Sequence, residues 1–203
     1  MIILHVVATR LHDIRRKRDE LLLSDRAPIK FGSHWQEWLE HHRKWSRAND
    51  AAVSQFEHRH GVTLPVDYRQ FVTNVADGGI GPGCGMFSLA EASADAPEFT
   101  GALSAPFPYG NVDAQKALTK RAHGVPQFSL AQPNDDGLPG GCLLLAHTGS
   151  GCFDVLVITG EQRGTIWFHD SQRLFPIGFG TKPLEFFDWY ESWLDGWISS
   201  LKL

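Results

Sequence analysis

The sequence predicts an α+β fold, a mainly antiparallel sheet flanked by N-terminal helices and closed by a C-terminal helix. Three observations predict it. Helical periodicity dominates up to about residue 77, three short apolar runs separated by glycine turns follow from 142 to 170, and one strongly amphipathic stretch runs from Pro183 to Leu201. Helices, then strands joined by short turns, then a single helix is the order of an α+β chain, not of alternating βαβ units.

The opening Met1-Ile2-Ile3-Leu4-His5-Val6-Val7-Ala8 is apolar and β-branched, and it lacks the basic residues that begin a signal peptide. It reads as a strand. Residues 13–20, Asp-Ile-Arg-Arg-Lys-Arg-Asp-Glu, read as the solvated face of a helix, because the four cations have acids on either side. Over 34–47, Trp35, Trp38, Leu39, His42 and Trp45 recur at three- and four-residue steps and predict a Trp-rich amphipathic helix.

Asn49 and Asp50 carry short side-chain acceptors suited to a helix start. The helix they open turns Ala52, Val53 and Phe56 inward and stops at Gly61, which can take the left-handed conformation. Pro65 suits the first turn of the next helix, whose buried stripe is Tyr68, Phe71, Val72 and Val75. Asp77-Gly78-Gly79 ends it, and 81–85 continue as an extended turn. That glycine-rich stretch lacks the Lys-Ser/Thr of a phosphate-binding loop and leads towards a strand.

Between 90 and 140 small residues and prolines prevail, with a helix predicted at 113–123 and a loop at 132–140. Cys142–Ala146, Phe153–Thr159 and Thr165–Asp170 are the strands, the last two paired as an antiparallel hairpin across Gly160–Gly164. Alternation places Thr165, Trp167 and His169 on one face of the third strand, Ile166 and Phe168 on the other. In the closing helix Phe186, Tyr190, Trp193, Leu194, Trp197 and Leu201 form one face, with Asp188, Glu191 and Asp195 in an acidic strip beside it.

Charge narrows the function. Residues 1–50 hold ten Lys/Arg and seven Asp/Glu, a net of +3, and residues 51–203 hold nine and sixteen, a net of −7. An acidic body does not suit a nucleic-acid binder, which needs cations facing phosphates, but it steers basic proteins. No run reaches the ~18 apolar residues that span a bilayer, so no membrane partner is expected. Three cysteines, Cys84, Cys142 and Cys152, without paired spacing point to no disulfide framework and a cytoplasmic setting.

A search for chemistry finds little. Cys152 with His147 and Asp154 is the one set resembling a thiol nucleophile with its base, but nothing nearby would lower the thiol pKa. His41-His42 and His58-x-His60 do not converge on a helix as metal ligands at i, i+4 would. The reading is therefore no catalytic residue, no metal and no cofactor.

Three segments together resemble the SUKH superfamily. The first holds Phe56-Glu57 to Gly61, Leu64-Pro65, Tyr68, Phe71 and Asp77-Gly78-Gly79, with Asp77 where the family more usually has Asn. The second holds Leu143–Ala146, Gly149-Ser150-Gly151 and Phe153–Val157, with Cys152-Phe153 standing between glycine and Asp154, followed by Gly164-Thr165-Ile166-Trp167. The third is Leu184–Tyr190. The resemblance implies a SUKH-like domain over 49–203 behind an N-terminal extension, 1–48, that carries the Trp-rich helix.

The resemblance further implies a non-catalytic protein-binding domain, an immunity protein that neutralises a cognate bacterial toxin, or alternatively a regulatory or scaffolding module in cell-envelope synthesis. A basic toxin domain such as a nuclease is the expected partner. The residues expected to meet it are Asp135, Asp136, Trp167, His169, Asp188, Glu191 and Asp195.

Overall fold

The computed structural model describes residues 2–32, 36, 39, 46–92, 102–110, 138–170, 173–179 and 182–202. Helices α1 (Ile2–Leu22), α2 (Ala27–Phe31), α3 (Asp50–His60), α4 (Val66–Asn74) and α5 (Leu89–Ala92) precede strands β1 (Cys142–Gly149), β2 (Cys152–Val157), β3 (Ile166–Asp170) and β4 (Arg173–Pro176). A small β5–β6 hairpin (Gly178–Phe179, Lys182–Pro183) leads into α6 (Phe186–Leu201). The four main strands form an antiparallel sheet in sequential order, so the α+β expectation holds. The helices predicted at 34–47 and 113–123 lie largely or wholly outside the described residues, as do residues 132–137 of the predicted loop.

The opening segment is a helix and not a strand. Its β-branched residues favour extended backbone only weakly, and they continue without a break into a stretch where Leu11, Ile14 and Leu21 repeat at helical spacing and are buried. Packing against α6 overrides the local preference.

In α3, Asn49 Oδ1 accepts from Ala52 N–H at 2.7 Å, and Gly61 closes the helix at φ +63°. Val53 is buried and Phe56 half-buried, but Ala52 is exposed, because it sits beside the cap on the solvent side. Pro65 is the cap of α4 and not a residue of its first turn. The α4 stripe of Tyr68, Phe71, Val72 and Val75 is buried as its spacing predicts. Gly78 takes φ +86°, and a Cβ there would stand 2.8 Å from Ser88 N, so only glycine lets the chain pass.

The sheet separates two cores. On one face, Leu143, Leu145, Leu156 and Ile166 pack beneath the helices, with Phe71 edge-on to Phe186 (5.0 Å) and Tyr190 (4.8 Å). On the other face, Cys142, Leu144, Val155, Val157 and Trp167 pack beneath Phe107 of the 102–110 segment. The predicted alternation of β3 is observed, with Ile166 in the first core and Trp167 in the second.

The face of α6 is wider than its stripe predicts. Phe187, Trp189 and Ile198 are buried, while Trp193 and Trp197 are half-buried. The cause is a second neighbour, since α6 is covered by the sheet and α4 on one side and by α1 on another.

Candidate functional site

Of the residues expected to bind a partner, the five that are described do not converge on one surface. Asp135 and Asp136 lie outside the described residues. Trp167 is wholly buried, its ring edge-on to Phe107 at 5.0 Å and stacked on Tyr109 at 6.1 Å, with Nε1 donating to Thr165 Oγ1 at 3.0 Å. His169 is half-buried on the same face, stacked on Phe153 at 6.5 Å. Its Nδ1 is buried without a partner among the described residues, and burial lowers its pKa.

The acidic strip of α6 is engaged from within. Arg10 of α1 reaches Asp188 at 2.7 Å and also Glu191, and its guanidinium lies 5.1 Å above the Phe187 ring. Lys17 reaches Asp195 at 2.8 Å. Arg10 and Lys17 are two helical turns apart, as are Asp188 and Asp195, and the pairs follow in the same order along both helices. Helices α1 and α6 therefore run in the same direction.

The cationic run of α1 is not simply solvated. Arg15 Nε donates to Asn74 O and an Arg18 amino group to Val75 O, each at 3.1 Å, and Arg26 donates to Leu201 O at 2.6 Å. These carbonyls end α4 and α6, where the helix dipole is negative and peptide oxygens lack helical partners. Of the four consecutive cations, only Arg16 keeps to its own helix, beside Asp13 and Glu20. The missed signal is a second charge pattern, acids at matching seven-residue spacing nearly 180 positions away.

The thiol set does not assemble. His147 stands opposite Phe153 in the β1–β2 register and touches its ring at 5.2 Å, on the face of the second core. Asp154 points to the other face, where its Oδ2 accepts from Trp189 Nε1 at 3.0 Å. Cys152 Sγ is directed at Ser150 O, 3.9 Å away. Among the described residues no group of three or more His, Cys, Asp or Glu side chains could hold a metal ion.

Asp154, weighed in the sequence only beside Cys152 and as part of the family-like strand, is set apart by its burial. It is one of two buried polar residues among those described, and burial pushes its carboxyl up to about 6, with the Trp189 bond acting weakly against that. Across the sheet it stands opposite Phe168, and Phe168 stands opposite Phe175.

The motifs that carried the resemblance serve the fold. Glu57 Oε1 accepts from Leu64 N–H at 2.8 Å and ties the Leu-Pro step to α3. Asp77 Oδ1 accepts from Leu89 N–H at 2.8 Å and starts α5, a role that Asn would fill equally well. A sequence model of the SMI1 / KNR4 family (SUKH-1) matches residues 47–195. The chain belongs to this family. No curated protein and no solved structure matches it. The matched span takes in α3 to most of α6, while α1 and α2 add Leu11, Ile14, Leu21 and Ala27 to the same core. No described helix is long and apolar enough to cross a membrane.

Proposed function

We propose that this SUKH-1 chain is a non-catalytic binding protein, an immunity protein that acts in the bacterial cytoplasm by occluding a cognate toxin. The observation that carries the reading is the acidic balance of the family domain, −7 over residues 51–203, which favours a basic partner such as a nuclease domain. The separation of Cys152, His147 and Asp154 supports a role in binding over one in catalysis. Asp188, Glu191 and Asp195 meet such a partner only if it also contacts, or displaces, the cations of α1.

Co-expression with a toxin encoded beside the gene tests the proposal. Cells carrying both are expected to survive where the toxin alone kills. If they die as fast with this protein as without it, the reading is wrong for that pair. A deletion strain that instead shows an envelope defect, with no toxin gene adjacent, would favour a regulatory module in envelope synthesis.

A further inference from the structure

A buried carboxylate is costly unless charge or several hydrogen bonds compensate it. Asp154 is 5% exposed, and among the described residues its one hydrogen-bond partner is the neutral Trp189 indole. No cation of the described chain contributes to its environment. Among the described residues, then, no cation meets this acid's demand for positive charge, unlike Asp188, Glu191 and Asp195.

What flanks it has a matching chemistry. Cross-strand partners share a face, so Asp154, Phe168 and Phe175 form one row over three adjacent strands. With strands ~4.8 Å apart, that row is ~10 Å long. The two rings lie 5.3 Å apart, are each half-buried, and belong to neither core. Aromatic faces leading to a carboxylate attract a guanidinium or ammonium, the more so where water is thin.

We propose that Asp154, Phe168 and Phe175 form the seat for an Arg or Lys side chain of the protein partner, laid across the two rings with its charge at the Asp154 carboxylate. The identity of the donor as a basic toxin rests on the function proposed above. The seat itself rests on the row of residues.

The full chain can be titrated with N-acetyl-arginine amide and N-acetyl-lysine amide while the Trp189 indole N–H resonance is followed. N-acetyl-citrulline amide is the neutral control of the same shape. A saturable shift is expected with at least one cationic probe and not with citrulline, about tenfold weaker in Asp154→Asn, whose amide oxygen still accepts from Trp189. Phe168→Leu and Phe175→Leu, which keep the carboxylate, should each weaken it by about two- to fivefold and serve if the Asn variant does not fold. No saturable shift, an equal response to citrulline, or a response unchanged by these substitutions would overturn the seat. Binding of the cationic probes together with failed protection in co-expression would leave the seat standing and remove the immunity reading.

Discussion

The two faces of the sheet are covered by different means. The helix side is closed by α1, α4 and α6, whose backbones satisfy their own hydrogen bonds and whose large side chains, Tyr68, Phe71, Phe186 and Tyr190, fill the space. The other side is closed in part by the irregular 102–110 segment, whose peptide groups need partners from elsewhere. Thr159 Oγ1 supplies two, donating to Ala105 O at 2.7 Å and accepting from Phe107 N–H at 3.0 Å. Gly141 N–H donates to Ala102 O at 3.2 Å. Volume holds one face, and a polar hook holds the other.

The comparison can be broken most forcefully on the helix side. Phe186→Ala should lower global stability by about 3–5 kcal/mol, because five aromatic neighbours would line the cavity. The check is the denaturant midpoint, which should fall with all probes moving together. An effect below about 1 kcal/mol would mean that this core collapses around the gap.

Gly141→Ala tests the hook. At φ +81° its new Cβ would stand 2.2 Å from Thr159 Oγ1 and 2.7 Å from Ala105 O. The expected loss is about 2–4 kcal/mol, expressed locally. The Trp167 indole N–H should exchange with solvent before the Trp189 indole does. Simultaneous exposure of both would show that the two faces unfold as one unit.

Asp154→Asn sharpens the helix side. The folded carboxyl titrates near 6, against an ordinary value of ~3.9, so the folded protein holds this proton where the unfolded chain has released it. Its contribution is complete below about pH 4 and is lost as pH rises through 6. Relative to the Asn variant, wild type should therefore lose stability on the order of 2–3 kcal/mol between pH 4 and 7.5. His169, Asp67 and Asp77 titrate in both proteins and cancel in the difference. Parallel melts at the two pH values are the measurement, and equal slopes would contradict the assignment.

The smallest effect is expected at the charge seam. Arg10→Gln removes both ion pairs to α6 and the cation over the Phe187 ring, but Arg10 and Asp188 are substantially solvated, so the cost should be about 0.5–1 kcal/mol and should shrink in high salt.

What could be read in the sequence divides along similar lines. The cap at Asn49, the stop at Gly61, the α4 stripe and the β2–β3 hairpin depend on residues within a few positions of each other, and all were legible. The helical state of 2–22 depends on the meeting of α1 with α6, and the burial of Trp189 on the meeting of α6 with β2, neither of which a local pattern encodes. The candidate site was harder still. Asp154 sits in an apolar run, and that no cation among the described residues reaches it becomes visible only once the strands are paired. Asp188, Glu191 and Asp195 were legible as a strip, but their engagement by Arg10 and Lys17 was not.

That meeting of α1 with α6 also sets an order of events in the cell. Arg10 and Glu191 are 181 positions apart in the chain. At about 5–20 residues per second, α1 leaves the ribosome roughly ten to forty seconds before its counterpart is made. For that interval Leu11, Ile14 and Leu21 have no α6 to cover them, and the nascent chain carries a bare apolar stripe edged by arginines. Synthesis itself thus leaves the apolar face of α1 waiting for its cover until the chain is almost complete.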